Sequence, residues 1–306
     1  MAKIVVVGDA NVDYVLDIDY YPELGSDTIV RSFRRQLGGS AALTAAYLAR
    51  LSNGYYDVFL VSSIGYDEDS ELVLEELRKH NVRVDYIHRL NIPTGKVFVI
   101  QADDERTMFS FRGANPYLML EDYEVRKIVE DSILIHVSGY SLLENPQKSS
   151  VLRIVEEAWK KDITVSFDPG PLIVRENPDI VKGIYGMIKI LLMNTDEARS
   201  LAGTHEFLEY FQSLSMDYNI IIVIKMGKEG AVSFYKGFSY WCTTVRVNYP
   251  INIVGAGDAF DAGFLIAYLK DYDISESLMI ACRVAKERVK GRPLEELLWS
   301  NIIKSL

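Results

Sequence analysis

Short apolar runs alternate with longer amphipathic ones through most of this chain, and that alternation restricts the fold more than any other feature. Runs rich in Val, Ile and Leu fall at 4–7, 58–61, 133–137, 164–167, 190–193 and 220–224. Most are apolar at consecutive positions, as strands covered on both faces are. Between them lie helical runs at 40–51, 70–80, 149–161, 195–202 and 206–213. Strands alternating with helices build a mainly parallel sheet with helices on both faces, the doubly wound α/β class. Ligands of such sheets bind past the carboxyl ends of the strands. Asn11, Asp168 and Asn194 fall there.

Two stretches, at about 12–36 and 82–112, break the alternation. Their apolar and polar side chains alternate singly, as in Lys96-Val97-Phe98-Val99-Ile100-Gln101 and Met108-Phe109-Ser110-Phe111-Arg112. They read as antiparallel strands joined by a turn at Asp103-Asp104-Glu105, forming a small β-sheet beside the main one. An ordinary edge hairpin accounts for the pattern equally well. The expected organisation is one domain over 1–306 with these strands inserted.

With 306 residues and 49% hydrophobic content, the chain can bury a full core. A formal net charge of −10 argues against nucleic acid as a partner. Cys242 and Cys282 are far apart in sequence and suggest neither a disulfide scaffold nor a zinc site. The first apolar run is too short for a secretory signal, and no stretch approaches the roughly 20 apolar residues of a membrane span. A cytoplasmic location without membrane contact is the resulting expectation.

The segment Gly255-Ala256-Gly257-Asp258-Ala259-Phe260 carries the most chemistry. Its glycines let backbone approach a ligand closely, and the amides opening the next helix attract an anion such as phosphate. Asp258 would repel that anion, which a role as proton acceptor explains. Capping of the helix is the plainer reading. Phe260, Phe264 and Ala267 lie on one helical stripe, and Asp261 reads as a partner of the helix dipole. Asn194 and Glu197 fit a helix cap with a first-turn acid. Asn11 and Asp13 share one strand face and suit a polyhydroxy ligand. Gly38 and Gly39 fit either a close approach to substrate or a helix-entry turn. Arg106 and Arg112 are either solvated strand charges or contacts for a substrate anion. Phe98, Phe109 and Phe111 either cover a base or pack the small sheet. His136 reads as a buried, bonded imidazole, and Asp168-Pro169 as a turn or a cleft residue.

Other nucleotide motifs are absent. There is no G-x-x-x-x-G-K-[ST], no completed dinucleotide fingerprint and no G-x-S-x-G, and His88-Arg89 is followed by Leu90 rather than Asp.

Taken in order, six segments resemble the PfkB (ribokinase-like) carbohydrate kinase family. They are Gly8-Asp9-Ala10-Asn11-Val12-Asp13, Gly38-Gly39-Ser40-Ala41-Ala42, Pro93-Thr94-Gly95, Asn194-Thr195-Asp196-Glu197, Met226-Gly227-Lys228-Glu229-Gly230 and the Gly255–Asp258 segment. The resemblance implies a ribokinase-like fold with a small β-sheet lid that in many members also makes a dimer contact. It implies an ATP- and Mg²⁺-dependent kinase acting on a hydroxyl of a sugar or sugar derivative. A nucleoside kinase on the same scaffold, a sugar-phosphate kinase and a non-catalytic sensor are the alternatives. By resemblance, Asp258 is the base and Gly255, Ala256 and Gly257 the anion hole. Asn11, Asp13, Gly38, Gly39 and Arg106 face the acceptor. Asn194, Lys225, Gly227 and Gly230 face the nucleotide, and Glu197 meets Mg²⁺ through water.

The chain also departs from the family pattern. Asn252 and Ile253 replace the Asp and Thr of the usual signature, which puts dependence on a monovalent cation in doubt. Leu43 stands where an Asn contacting the acceptor is common, and Lys225 where many members have Thr.

Overall fold

The computed structural model describes the whole chain except residues 103–104, 205, 245–246, 248–253 and 305–306. The expected turn at Asp103-Asp104 and the departures at Asn252 and Ile253 lie outside the described residues. Along the chain run β1 (Ala2–Val7), β2 (Asn11–Ile18), β3 (Val30–Gly38), α1 (Ser40–Ser52), β4 (Tyr56–Ile64), α2 (Glu68–Lys79) and β5 (Val82–Arg89). Next come β6 (Gly95–Ala102), β7 (Glu105–Phe111), α3 (Asp122–Val129), β8 (Ser132–Ser138), α4 (Gln147–Lys160), β9 (Thr164–Asp168), α5 (Gly170–Glu176) and α6 (Pro178–Gly183). The remainder is β10 (Ile190–Asn194), α7 (Thr195–Ala202), α8 (Phe207–Tyr218), β11 (Ile221–Lys225), β12 (Ala231–Tyr235), β13 (Phe238–Cys242), α9 (Ala256–Leu269), α10 (Ile274–Val289) and α11 (Trp299–Ile303).

Nine strands form the main sheet in the order β13-β12-β11-β10-β9-β8-β1-β4-β5. From β11 to β5 every pairing is parallel, and β12 and β13 add an antiparallel edge. Because strand side chains alternate, a continuous apolar run feeds two cores at once. Ile4 and Val6 belong to one, with α1, α9 and α10, while Val5 and Val7 belong to the other, with α3, α4 and α8. All four are 0% exposed. This is the doubly wound architecture expected from the sequence.

A second sheet of four strands has the order β3-β2-β6-β7. Here the structure corrects two expectations. Residues 82–89 are not part of the small sheet: they form β5, which pairs with β4 at the edge of the main one. Nor is the small sheet wholly antiparallel, since β2 and β6 run parallel. β2 follows β1 and β6 follows β5, so both leave the carboxyl edge of the main sheet in the same direction. The corrected strands of the small sheet are Asn11–Ile18, Val30–Gly38, Gly95–Ala102 and Glu105–Phe111. Among the described residues no helix is long and apolar enough to cross a membrane.

Candidate active site

At the end of β1 the chain passes through Gly8-Asp9-Ala10 into β2, which carries Asn11 and Asp13 on one face. Asn11 Oδ1 accepts a hydrogen bond from Asn115 Nδ2 at 2.8 Å, and Asn115 Oδ1 accepts the Ala10 N–H at 2.9 Å. Asp13 is 5% exposed. Burial, reinforced by the charge of Asp258, pushes its pKa up to about 7. Gly38 pairs with Asn11 in register. A Cβ at Gly38 would overlap the Asp13 carboxylate, so the close approach of β3 to that side chain requires glycine. Gly39 then caps α1.

The first residue of α1 connects this face to the glycine segment. Ser40 Oγ donates to Asp258 Oδ1 at 2.7 Å. Gly255 takes a left-handed conformation, φ 77°, as the N-cap of α9, and its side-chain cap position is empty because glycine has none. Gly257 is exposed, and Gly255, Ala256 and Asp258 are half-buried. The cradle of amides is therefore open, with the Asp258 carboxylate held at its mouth. Burial raises the Asp258 pKa to about 6, against the hydrogen bond from Ser40 that lowers it.

A charged cluster adjoins the cradle at the carboxyl ends of β9 and β11. Lys225 Nζ donates to Asp168 at 2.7 Å and to Asp261 at 3.0 and 3.1 Å. It lies 3.8 Å from where a Cβ on Gly257 would stand. Burial would lower the Lys225 pKa, but Asp168, Asp261 and Glu197 outweigh it and hold the ammonium charged. The expectation for Asp261 is corrected here: it is 0% exposed and paired with Lys225 rather than serving the helix dipole. One helical turn beyond Asp258, its side chain points into the sheet, where a carboxylate without a cation would be costly.

Asn194 and Glu197 form a reciprocal cap on α7. Asn194 Oδ1 accepts the Asp196 and Glu197 N–H groups at 2.9 Å, and Glu197 Oε2 accepts the Asn194 N–H at 2.9 Å. Glu197 Oε1 accepts from Asn194 Nδ2 at 2.7 Å. Burial pushes Glu197 up to about 7. The glycine loop after β11 turns through Gly227, φ 58°, and Gly230, φ 105°. No group of three or more His, Cys, Asp or Glu side chains among the described residues could cage a metal ion. The Glu197 carboxylate beside Asn194 offers hard oxygen donors of the kind that Mg²⁺ takes together with phosphate and water.

The two lid arginines separate. Arg112 is engaged inside the protein, with Nε and Nη2 donating to Asp9 at 3.1 and 3.0 Å, Nη1 to Glu144 at 2.8 Å and Nη2 to Gln147 at 2.7 Å. It is not available to a substrate anion. Arg106 pairs in register with Gln101, on the same strand face as Val97 and Asp13, and has no polar partner among the described residues. Phe98 and Phe109, 40% and 59% exposed, lie on the opposite face, away from Asp13, and Phe111 shares that face. They do not share the face that carries Asp13. His136 is buried and bonded to Ser166 Oγ at 2.9 Å, as expected.

Several members of this neighbourhood escaped the sequence reading. Asn115, the Asp9–Arg112 pair and Arg288, which reaches Val254 from α10, carried no local motif. Ser40 did lie in a quoted segment, but its bond to a residue 218 positions away has no sequence signal.

The sequence pattern of the pfkB family carbohydrate kinases matches residues 1–294. The chain belongs to this family. It is 25% identical over 299 residues to an ATP-dependent 6-phosphofructokinase of Thermoanaerobacterium thermosaccharolyticum, covering 94% of this chain and 88% of that one. It is 24% identical over 313 residues to a nucleoside kinase of Methanocaldococcus jannaschii, covering 100% of this chain and 97% of that one. The solved structure of Arabidopsis thaliana ribokinase complexed with ribose and ATP superposes with a TM-score of 0.82 at 23% identity, over 99% of this chain and 98% of that one. The protein is thus a ribokinase-fold kinase.

Proposed function

We propose that this kinase transfers the γ-phosphoryl group of ATP to a hydroxyl of a sugar or sugar derivative. The observation that carries the reading is the Ser40-held Asp258 carboxylate at the mouth of the open Gly255–Gly257 cradle, with Asp13 buried on the facing strand. Transfer to an alcohol needs alignment, charge neutralisation and a base. Asn11 and Asp13 hold acceptor hydroxyls, with Gly38 and Gly39 letting the substrate approach the backbone. Asp258 takes the hydroxyl proton as the oxygen attacks phosphorus. The amides of Gly255, Ala256 and Gly257 hold the charge on the migrating phosphoryl. Gly227 and Gly230 shape the nucleotide side, and Lys225 adds a fixed cation beside the cradle. Mg²⁺, when bound, supplies charge neutralisation on the phosphate oxygens, and Glu197 with Asn194 would orient its water ligands.

An acceptor that already carries a phosphate is favoured by one observation, Arg106 on the face of Asp13 without a polar partner among the described residues. A relative that is a 6-phosphofructokinase accords with this second reading. ADP release measured against sugars, sugar phosphates and nucleosides tests both. Turnover confined to nucleosides, or absent throughout, would reject them. We propose further that two copies pair through the exposed face of the small sheet. No nucleic-acid or membrane partner is part of this reading.

A further inference from the structure

The cradle is braced from behind by a residue far from it in sequence. Arg288, near the end of α10, donates from Nε to the carbonyl of Val254 at 3.0 Å. Val254 directly precedes Gly255, and Arg288 Nε lies 3.8 Å from where a Cβ on Gly255 would be. Its two terminal nitrogens have no hydrogen-bond partner among the described residues. The helix that presents it is a firm platform: a Cβ at Gly263 of α9 would meet Ala281 and Val284 of α10 at 3.0 Å. α9 and α10 are thus in close contact about two turns along α9 from the cradle.

We propose that Arg288 is a positioning residue for phosphoryl transfer: anchored on Val254, its guanidinium is a built-in cation that fixes the cradle loop and offsets the charge gathering there. This rests on the reading of Gly255–Gly257 as the anion hole. A guanidinium keeps its charge at any working pH and pairs in fixed geometry. A preorganised charge of this kind acts without reorganisation at the moment of reaction. No diffusible monovalent cation is then needed at the loop. The charge of Arg288 also favours the ionised form of Asp258, by less than the Ser40 hydrogen bond and the charge of Lys225 do.

The test compares wild type, Arg288→Ala and Arg288→Lys, using whichever of ribose, fructose 6-phosphate and adenosine is turned over best. Arg288→Ala is expected to lower kcat by about 10- to 100-fold, less than the 10²–10³ of a direct anion-hole donor, with acceptor KM within about threefold. Millimolar guanidinium is expected to restore part of that loss, and Arg288→Lys to retain an intermediate rate. The acid limb of the pH profile should move upward in Arg288→Ala. Wild-type turnover should be unchanged when potassium is replaced by tetramethylammonium at equal ionic strength. An unchanged kcat in Arg288→Ala overturns the proposal. So does a loss that guanidinium does not relieve and that tracks a lowered melting temperature, or a wild-type rate that collapses without potassium. Asp258→Asn, assayed alongside, separates the two readings: near-normal turnover there removes Asp258 as the base and with it the reading of this segment as the place of transfer, whereas an inactive Asp258→Asn with a normal Arg288→Ala removes only the role of Arg288.

Discussion

Asp258 and Asp13 are acids held above their ordinary pKa by burial, and each sign has its own consequence. In the role of base proposed for Asp258, the ionised form is the working one. With a pKa of about 6, Asp258 should give kcat/KM an acid limb that rises with pH through about 6. Asp258→Asn should abolish that limb and lower turnover on the order of 10² to 10⁴, the range for a lost general base, while nucleotide binding persists. Stability runs the other way. The folded pKa of Asp13, about 7, exceeds its ordinary 3.8. Between those values the folded chain keeps a proton that the unfolded chain releases, so this contribution is full below about pH 4 and is lost as pH rises through 7. Asp13→Asn should therefore be more stable than wild type at about pH 8, by at most about 4 kcal/mol, and should melt higher there but equally at about pH 4. Equal melting at both pH values would show that Asp13 is ionised in the folded chain without penalty. Lys225 offers a third test. Lys225→Met leaves Asp168 and Asp261 buried without their cation, and breaking such a pair costs about 3–5 kcal/mol. Urea unfolding measures it, and a loss below about 1 kcal/mol would mean that the two acids share a proton instead.

At the scale of elements, what the sequence made legible follows from burial. β1 and β10 are apolar at consecutive positions because both faces are covered, and this pattern has one reading. β5 misleads for the same reason reversed: Val82-Arg83-Val84-Asp85 alternates because an edge strand is half exposed, and nothing local separates that edge from a small separate sheet. α9 showed a stripe at Phe260, Phe264 and Ala267, yet Ala259 through Ala267 are all buried because both α1 and α10 pack against the helix. The site divides likewise. Asn194 was visible because the cap of α7 suits its residue type, and Gly38 and Asp258 because they fall in glycine-rich segments, although it is the distant Asp13 carboxylate that requires glycine at 38. Ser40, Asp261 and Arg288 act through contacts between distant segments, which no local pattern encodes. The β2–β3 pairing yields its own prediction. Gly38→Ala forces its new Cβ into the Asp13 carboxylate, and the displaced strand should raise acceptor KM about tenfold or more while leaving the KM for ATP within twofold. An equal effect on both substrates would place the damage in the fold rather than at the acceptor side.

For the molecule as a whole, the two sheets divide the work: the main sheet lines up Asp168, Asn194 and Lys225 at its carboxyl edge, and the small sheet carries Asn11 and Asp13 toward them. The small sheet has little behind it. Its face away from Asp13 exposes Phe33 by 59%, Phe98 by 40% and Phe109 by 59%, with Tyr14 stacked 5.9 Å from Phe33 and 5.3 Å from Phe98. A contiguous aromatic surface on a sheet is unusual for a lone chain and suits a self-complementary contact about a two-fold axis. Tyr14 anchors one end of the patch to α2 by its hydroxyl bond to Asp69 at 2.7 Å, which fixes the orientation of the patch. Light scattering at working concentration should therefore report twice the 34.7 kDa of one chain. Replacing Phe98 and Phe109 together by Ser should return the single-chain mass. Since neither side chain faces Asp13, the variant should keep its melting transition for the main sheet and lose activity only so far as pairing steadies the small sheet. A wild-type mass of one chain would leave the aromatic face without this role and would make acceptor closure a property of the single chain.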